Sequence, residues 1–179
     1  MDFFKILYQN RKLAMQLGRN DFKNRFANTS LGTIWGFAQP FVFMLTYVIV
    51  FQYILKTGSS GKYPYVVWFL PGMAMWMFCS DAILNSSSSI RNYSYLVKKV
   101  VFPVDIIPII SIASSSFIGV FLIYIATVVS VAFGYFPNIF NIVYIVFCAF
   151  CFIIALTRFT SALTTVVPDF SQLLTIIIQ

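Results

Sequence analysis

Apolar residues fall along this chain in long blocks broken by short polar stretches. From Ile34 to Leu55 there are 22 residues without a formal charge. Further apolar runs cover about residues 65–84, 106–133 and 139–156. A helix rises 1.5 Å per residue, so about 20 apolar residues cross a ~30 Å hydrocarbon core. The four runs therefore predict four membrane-spanning helices. The third run is too long for one upright helix, which implies tilt or an interfacial start. A last run, Leu173–Gln179 (LLTIIIQ), begins like a fifth span and stops after a few residues. The sequence is thus expected to be C-terminally incomplete.

The polar stretches carry their own signals. Before the first run, Phe3, Ile6, Leu13 and Leu17 follow helical spacings among Lys5, Arg11, Lys12 and Arg19. This predicts an amphipathic helix within residues 1–30 lying in the membrane interface. Thr29 or Ser30 is placed to N-cap the first span. Pro40 falls early in that span and predicts a kink or a first-turn position, and Pro71-Gly72 invites a break in the second. Asp81, near the far end of the second run, is expected at the interface, because an acid deeper in a span is costly. In the third run Ser111, Ser115 and Gly119 recur every four residues, a pattern that lets helices approach closely in lipid. GYFPN (Gly134–Asn138) reads as a tight turn. The segment SYLVKKVVFPVDIIPI (Ser94–Ile109) holds Lys98, Lys99 and Asp105 between apolar flanks. Pro103 and Pro108 would end one helix and start another, leaving a short surface helix at roughly 92–101.

Composition sharpens this picture. The chain has 179 residues, 60% hydrophobic and 9% charged, with a mean hydropathy of +0.87; a soluble domain carries about 25% charged residues. The fold class is all-α, a polytopic membrane protein. The net charge is +7. Because the basic residues flank apolar runs, the implied partner is a membrane surface and not nucleic acid. Six Lys and Arg lie in the N-terminal segment, three in the 85–100 loop and one after the fourth run; the other side has only Lys56 and Lys62. The positive-inside rule then puts the N-terminus in the cytoplasm.

Candidate chemistry is sparse. The sequence has no His and no Glu, and its five acidic residues are scattered Asp, which disfavours a membrane-bound transferase. Cys79, Cys148 and Cys151 lie within apolar runs without metal-ligand spacing and read as small hydrophobes. GSSGK (Gly58–Lys62) resembles half of a phosphate-binding loop. It lacks the first glycine, has Tyr63 after the lysine, and reads as a turn. No ATP site, metal or cofactor is expected in this chain.

Three blocks in order carry a resemblance. The first is DFKNRFANTSLGTIWGFAQP, with Asp21, Lys23, Arg25, Phe26, Leu31, Gly32, Trp35 and Pro40. The second is FLPGMAMWMF, with Pro71, Gly72 and Trp76. The third is the Ser94–Ile109 segment, with Leu96, Lys99, Phe102, Pro103 and Pro108. Over essentially its whole length the chain resembles the membrane subunit of type-2 ABC exporters of polysaccharides, the O-antigen, capsule and teichoic acid permease family. That resemblance implies a six-span permease in a bacterial cytoplasmic membrane, working as two copies. A separate ATPase subunit would bind ATP and magnesium and meet a coupling helix in the loop 85–103, with Tyr95, Leu96, Lys98 and Lys99 at the contact. The cargo would be a polysaccharide or lipid-linked glycan. Departures from the family pattern are Pro168-Asp169, where an Arg-Asp pair is usual, and Val104, where a basic residue is usual. Phe43, Tyr47 and Phe51, one turn apart, offer a candidate glycan path, since aromatic faces pack on sugar C–H faces. A permease for a drug or lipid, or a passive channel or scaffold, is the competing reading.

The predicted orientation has a direct test. In intact cells a membrane-impermeant maleimide is expected to label Ser59→Cys, whereas Ser94→Cys reacts only after permeabilisation. The reverse pattern would overturn the orientation.

Overall fold

The computed structural model describes residues 2–55, 64–94 and 106–178, with side chains from Lys12 onward, Tyr53 excepted. The segment with Tyr95, Leu96, Lys98, Lys99, Phe102 and Pro103, and so most of the expected surface helix, lies outside the described residues.

Helix α1 covers Asp2–Arg25, α2 Trp35–Val48, α3 Tyr65–Ser87, α4 Ser89–Asn92, α5 Ile107–Ala132, α6 Ile139–Val166 and α7 Phe170–Ile178. A 3-10 turn over Gly32–Ile34 leads into α2, and a π-helical stretch over Ile49–Ile54 extends it. Four of these helices are long and apolar enough to cross a membrane: Gly32–Gln52, Tyr65–Ser87, Ile107–Ala132 and Ile139–Val166.

The central pair is α3 and α5, and its contact depends on small residues. A Cβ on Gly119 would sit 2.3 Å from the Phe78 ring, so only hydrogen at that position admits the ring. Phe78, Ala82, Ile112 and Ile153 form one core cluster across α3, α5 and α6. A second joins Met44 of α2, Val66, Leu70 and Ala74 of α3, and Ile118, Leu122 and Ala126 of α5 to Phe22 of α1.

Helix α1 docks on the beginning of α5 through small residues. Leu13 is exposed; the buried positions are Ala14, Gly18 and Phe22, with Leu17 packed beside Ala14. The reason is again size. A Cβ on Gly18 would lie 2.9 Å from that of Ala113, so the small face lets the two helices approach. Phe22 then enters an aromatic knot with Phe26, Phe37 and Phe117, at centroid distances of 5.4–5.7 Å.

Other elements also depart from expectation. Thr29 does not N-cap the first span: its hydroxyl donates to the Phe26 carbonyl at 2.8 Å and to that of Gly32, closing the end of α1. The turn needs Gly32, whose φ of +56° is left-handed. Helix α3 is not broken at Pro71-Gly72, since a proline removes only one ladder bond in an otherwise packed helix; Pro40 does lie inside α2, early in its span. The last long helix continues past Leu156 to Val166. Its hydroxyls at Thr160, Ser161 and Thr165 bond carbonyls one turn back, so they satisfy themselves within the helix. Helix-incompatible Pro168 follows soon after.

Two glycine substitutions should move stability in opposite directions. Gly119→Val is expected to lower the stability of the detergent-solubilised protein by about 1–3 kcal/mol through overpacking against Phe78. Gly72→Ala, with nothing within 4 Å of its added Cβ, should be neutral or raise it slightly. Equal melting of Gly119→Val and the parent protein would show that this contact yields freely.

Candidate functional site: a charged junction between the first helix and two spans

The densest polar cluster among the described residues sits where α1 meets α3 and α5. Arg25, in the last turn of α1, is its centre. Its Nε donates to Asp21 Oδ2 at 3.1 Å, with Nη2 also 3.1 Å from that oxygen. Its Nη1 lies 3.4 Å from Asp81 Oδ2 on α3 and 3.5 Å from the Ser115 hydroxyl on α5, and its Nη2 donates to the Ser111 carbonyl at 3.4 Å. One guanidinium thus bridges three helices, a task suited to its five N–H donors in a planar fork.

Each carboxylate has a second, neutral donor. The Tyr93 hydroxyl, just after α4, donates to Asp21 Oδ1. The Asn85 side-chain amide donates to Asp81 Oδ1 at 2.7 Å and to the Asp81 backbone carbonyl at 2.7 Å. Among the described residues, two carboxylates face one guanidinium, and these donors help to accommodate the excess negative charge. The side chains of Arg25 and Asp21 are 18% and 16% exposed and that of Asp81 is 34% exposed. The Asp21 contact is therefore the better shielded of the two.

Asp81, expected at the interface, is here the partner of a cation 56 residues away in the chain. Sequence reasoning singled out Asp21 and Arg25 as residues of one motif block and did not pair them. It missed Tyr93, Asn85 and Asp81 as members of the same cluster. The available signal was Asp81 itself, because an acid in an apolar run calls for a named partner. Ser111 and Ser115 stood out as small residues, and they also serve as acceptors here.

The remaining motif residues are spread out. Lys23 is exposed, Trp35 is about half exposed, and Asp169 is exposed just before α7. Pro108 is buried in the first turn of α5, where its carbonyl accepts a hydrogen bond from the Ser86 hydroxyl at 3.3 Å. Nearby, Thr164 of α6 donates to the Ser87 carbonyl, so α6 also reaches this end of the bundle. Pro40 and Phe43 line a cavity of about 190 Å³ that Asp81 and Gln39 also border. Pro71, Gly72 and Trp76 border a larger cleft of about 470 Å³ between α3, α5 and α6, closed by apolar residues with Thr127 and Ser130. Tyr47 and Phe51 stack at 6.2 Å and continue into Tyr65 and Phe69 of α3. Phe43 lies one turn before this ladder.

The Arg25–Asp81 contact should be measurable as a coupling. Arg25→Met is expected to lower stability in detergent by about 1–3 kcal/mol, since it strands two carboxylates. Asp81→Asn should cost less, because the amide still fits beside Asn85. The double variant should be more stable than the sum of the two losses by about 0.5 kcal/mol or more. Strict additivity would show that the 3.4 Å contact contributes nothing.

Comparison with known proteins agrees with this architecture. The family model described as ABC-2 type transporter matches residues 13–179. An O-antigen export system permease protein RfbA of Myxococcus xanthus is 24% identical over 169 residues, which cover 93% of this chain and 64% of that protein. A protein of the same description from Klebsiella pneumoniae is 27% identical over 97 residues, 54% of this chain and 36% of its own length. The chain therefore spans less than two thirds of the curated relatives it matches. With the match running from the middle of α1 through all four long helices, the chain belongs to the ABC-2 type transporter family.

Proposed function

We propose that this chain is the membrane-spanning subunit of an ATP-driven exporter that moves a polysaccharide or lipid-linked glycan out of the cytoplasm. The observation that carries the reading is a relative along 93% of the chain whose name states O-antigen export. The basic bias of the N-terminal segment and the 85–100 loop supports a cytoplasmic N-terminus in a bacterial inner membrane. The chain has no complete phosphate-binding loop, so ATP and magnesium are assigned to a separate ATPase subunit. That subunit would meet the segment with Tyr95, Leu96, Lys98 and Lys99, and its closure would tilt the spans. A second copy of the permease would complete the path. Phe43, Tyr47 and Phe51, backed by the buried Tyr65, offer a face on which sugar rings can slide without a fixed hydrogen-bond pattern.

The test is co-purification. Tagged permease solubilised from its own membranes is expected to carry the ATPase encoded beside it. The combined change Leu96→Ala, Lys98→Glu and Lys99→Glu should abolish that association without lowering the amount of permease in the membrane. Permease that brings down no ATPase would favour a channel or scaffold.

A further inference from the structure

Two polar side chains within the spans, Gln39 of α2 and Asp81 of α3, border the cavity of about 190 Å³, which Phe26, Pro40, Phe43 and Met77 also line. Gln39 lies about two turns into the span Gly32–Gln52, and Asp81 about two turns before the end of α3 at Ser87. At 1.5 Å per residue both sit roughly 10 Å in from that end of the bundle. Gln39 is exposed, and its amide has no hydrogen-bond partner among the described residues. Asp81 already accepts from Arg25 and Asn85. A carboxylate has about four acceptor sites, however, and 34% of this side chain is still exposed. An open amide and an open carboxylate at this depth are costly against lipid tails. The mouth of the cavity therefore faces water or protein.

We propose that this cavity is a subsite for one neutral sugar residue, at the start of the aromatic face formed by Phe43, Tyr47 and Phe51. The proposal rests on the exporter reading and names where the cargo is first held. The wall is mixed in the way a pyranose is mixed. Pro40, Phe43 and Met77 offer apolar surface to its C–H faces. Asp81 accepts from its hydroxyls, and the Gln39 amide both donates and accepts. The volume suits one sugar ring and falls below the 300–1,000 Å³ usual for drug-sized ligands. Beside the cavity two carboxylates face one guanidinium, which disfavours a phosphate or another anion. Asp81 is already paired with Arg25, so a cationic ligand is not needed to balance it. Phe43, Tyr47 and Phe51 then follow one turn apart along α2, with the last two rings stacked at 6.2 Å. A sugar leaving the cavity thus meets another aromatic face. The basic bias that puts the N-terminus in the cytoplasm puts this end on the loading side.

The test is made in the cells that produce the exported glycan, with permease and ATPase expressed together and the cell-made polysaccharide as the probe. The photoreactive residue p-benzoylphenylalanine replaces Met77 in the cavity wall, Tyr47 farther along α2, or Phe159, which is exposed on α6. After illumination the tagged permease is isolated and stained for carbohydrate. Position 77 is expected to give a stained adduct that is absent in cells making no polysaccharide, and position 159 to give none. Gln39→Leu should lower the adduct at position 77 about fivefold. The amount of permease in the membrane and the recovery of a second, differently tagged copy should stay the same. An adduct at position 47 without one at 77 overturns the subsite and leaves the exporter reading standing. So does an adduct at 77 that Gln39→Leu leaves unchanged. A fall that merely tracks loss of the second copy would make Gln39 a contact between subunits and likewise overturns the subsite. No adduct at any position, together with unchanged surface polysaccharide in cells lacking the chain, overturns both.

Discussion

A guanidinium close to a membrane needs acceptors, and in this protein they come from three helices. Arg25 of α1 is matched by Asp21 on its own helix, by Asp81 on α3, and by a hydroxyl and a carbonyl on α5. Much else in the structure serves to bring these elements together. The first helix must lie hard against α5 for Arg25 to reach Ser111, and Gly18 and Ala14 provide that approach. The central spans must be close enough for one side chain to touch both, and Gly119 beneath Phe78 provides that one. Burial of the pair alone would not make it stabilising, because desolvation offsets much of the attraction. Its value lies in fixing the register of α1 on the bundle.

Packing in lipid explains why small residues, not large ones, mark these contacts. Lipid tails are as apolar as leucine, so helix association depends on close fit and on polar bonds. The helices follow that logic. Buried positions on α5 include Ser111, Ser114, Ser115 and Gly119, while large apolar side chains such as Phe140, Tyr144, Phe147 and Phe152 of α6 point outward. Ser114 has no hydrogen-bond partner for its hydroxyl among the described residues. It contributes its small size to the α1–α5 contact and not its polarity.

At the α1 end of the bundle, serine and threonine close the joints: Ser86 to Pro108, Ser89 to Ser86, and Thr164 to Ser87. These tie the end of α3, the start of α5 and the end of α6 to one another. This end of the bundle is therefore held by directional, short-range bonds and not by apolar packing alone.

The sequence by itself determined the class of fold. Apolar runs of about 20 residues with charges confined between them leave few alternatives to spanning helices, because backbone polar groups must be satisfied internally in hydrocarbon. It also marked Asp21 and Arg25 as residues of one motif block, although their pairing one turn apart is seen only in the structure. Three ordered motif blocks carried the family resemblance. Only the tertiary structure decided which face of α1 is buried, and it chose Ala14, Gly18 and Phe22 over the more hydrophobic Leu13. Hydrophobicity ranks transfer from water, whereas this contact is selected by how near two backbones can come. Only the tertiary structure, too, joined Asp81 to Arg25 across 56 residues and Tyr93 to Asp21 across 72. No periodicity encodes such pairs, because they depend on how helices cross, and crossing is set by side-chain fit among segments far apart in the chain.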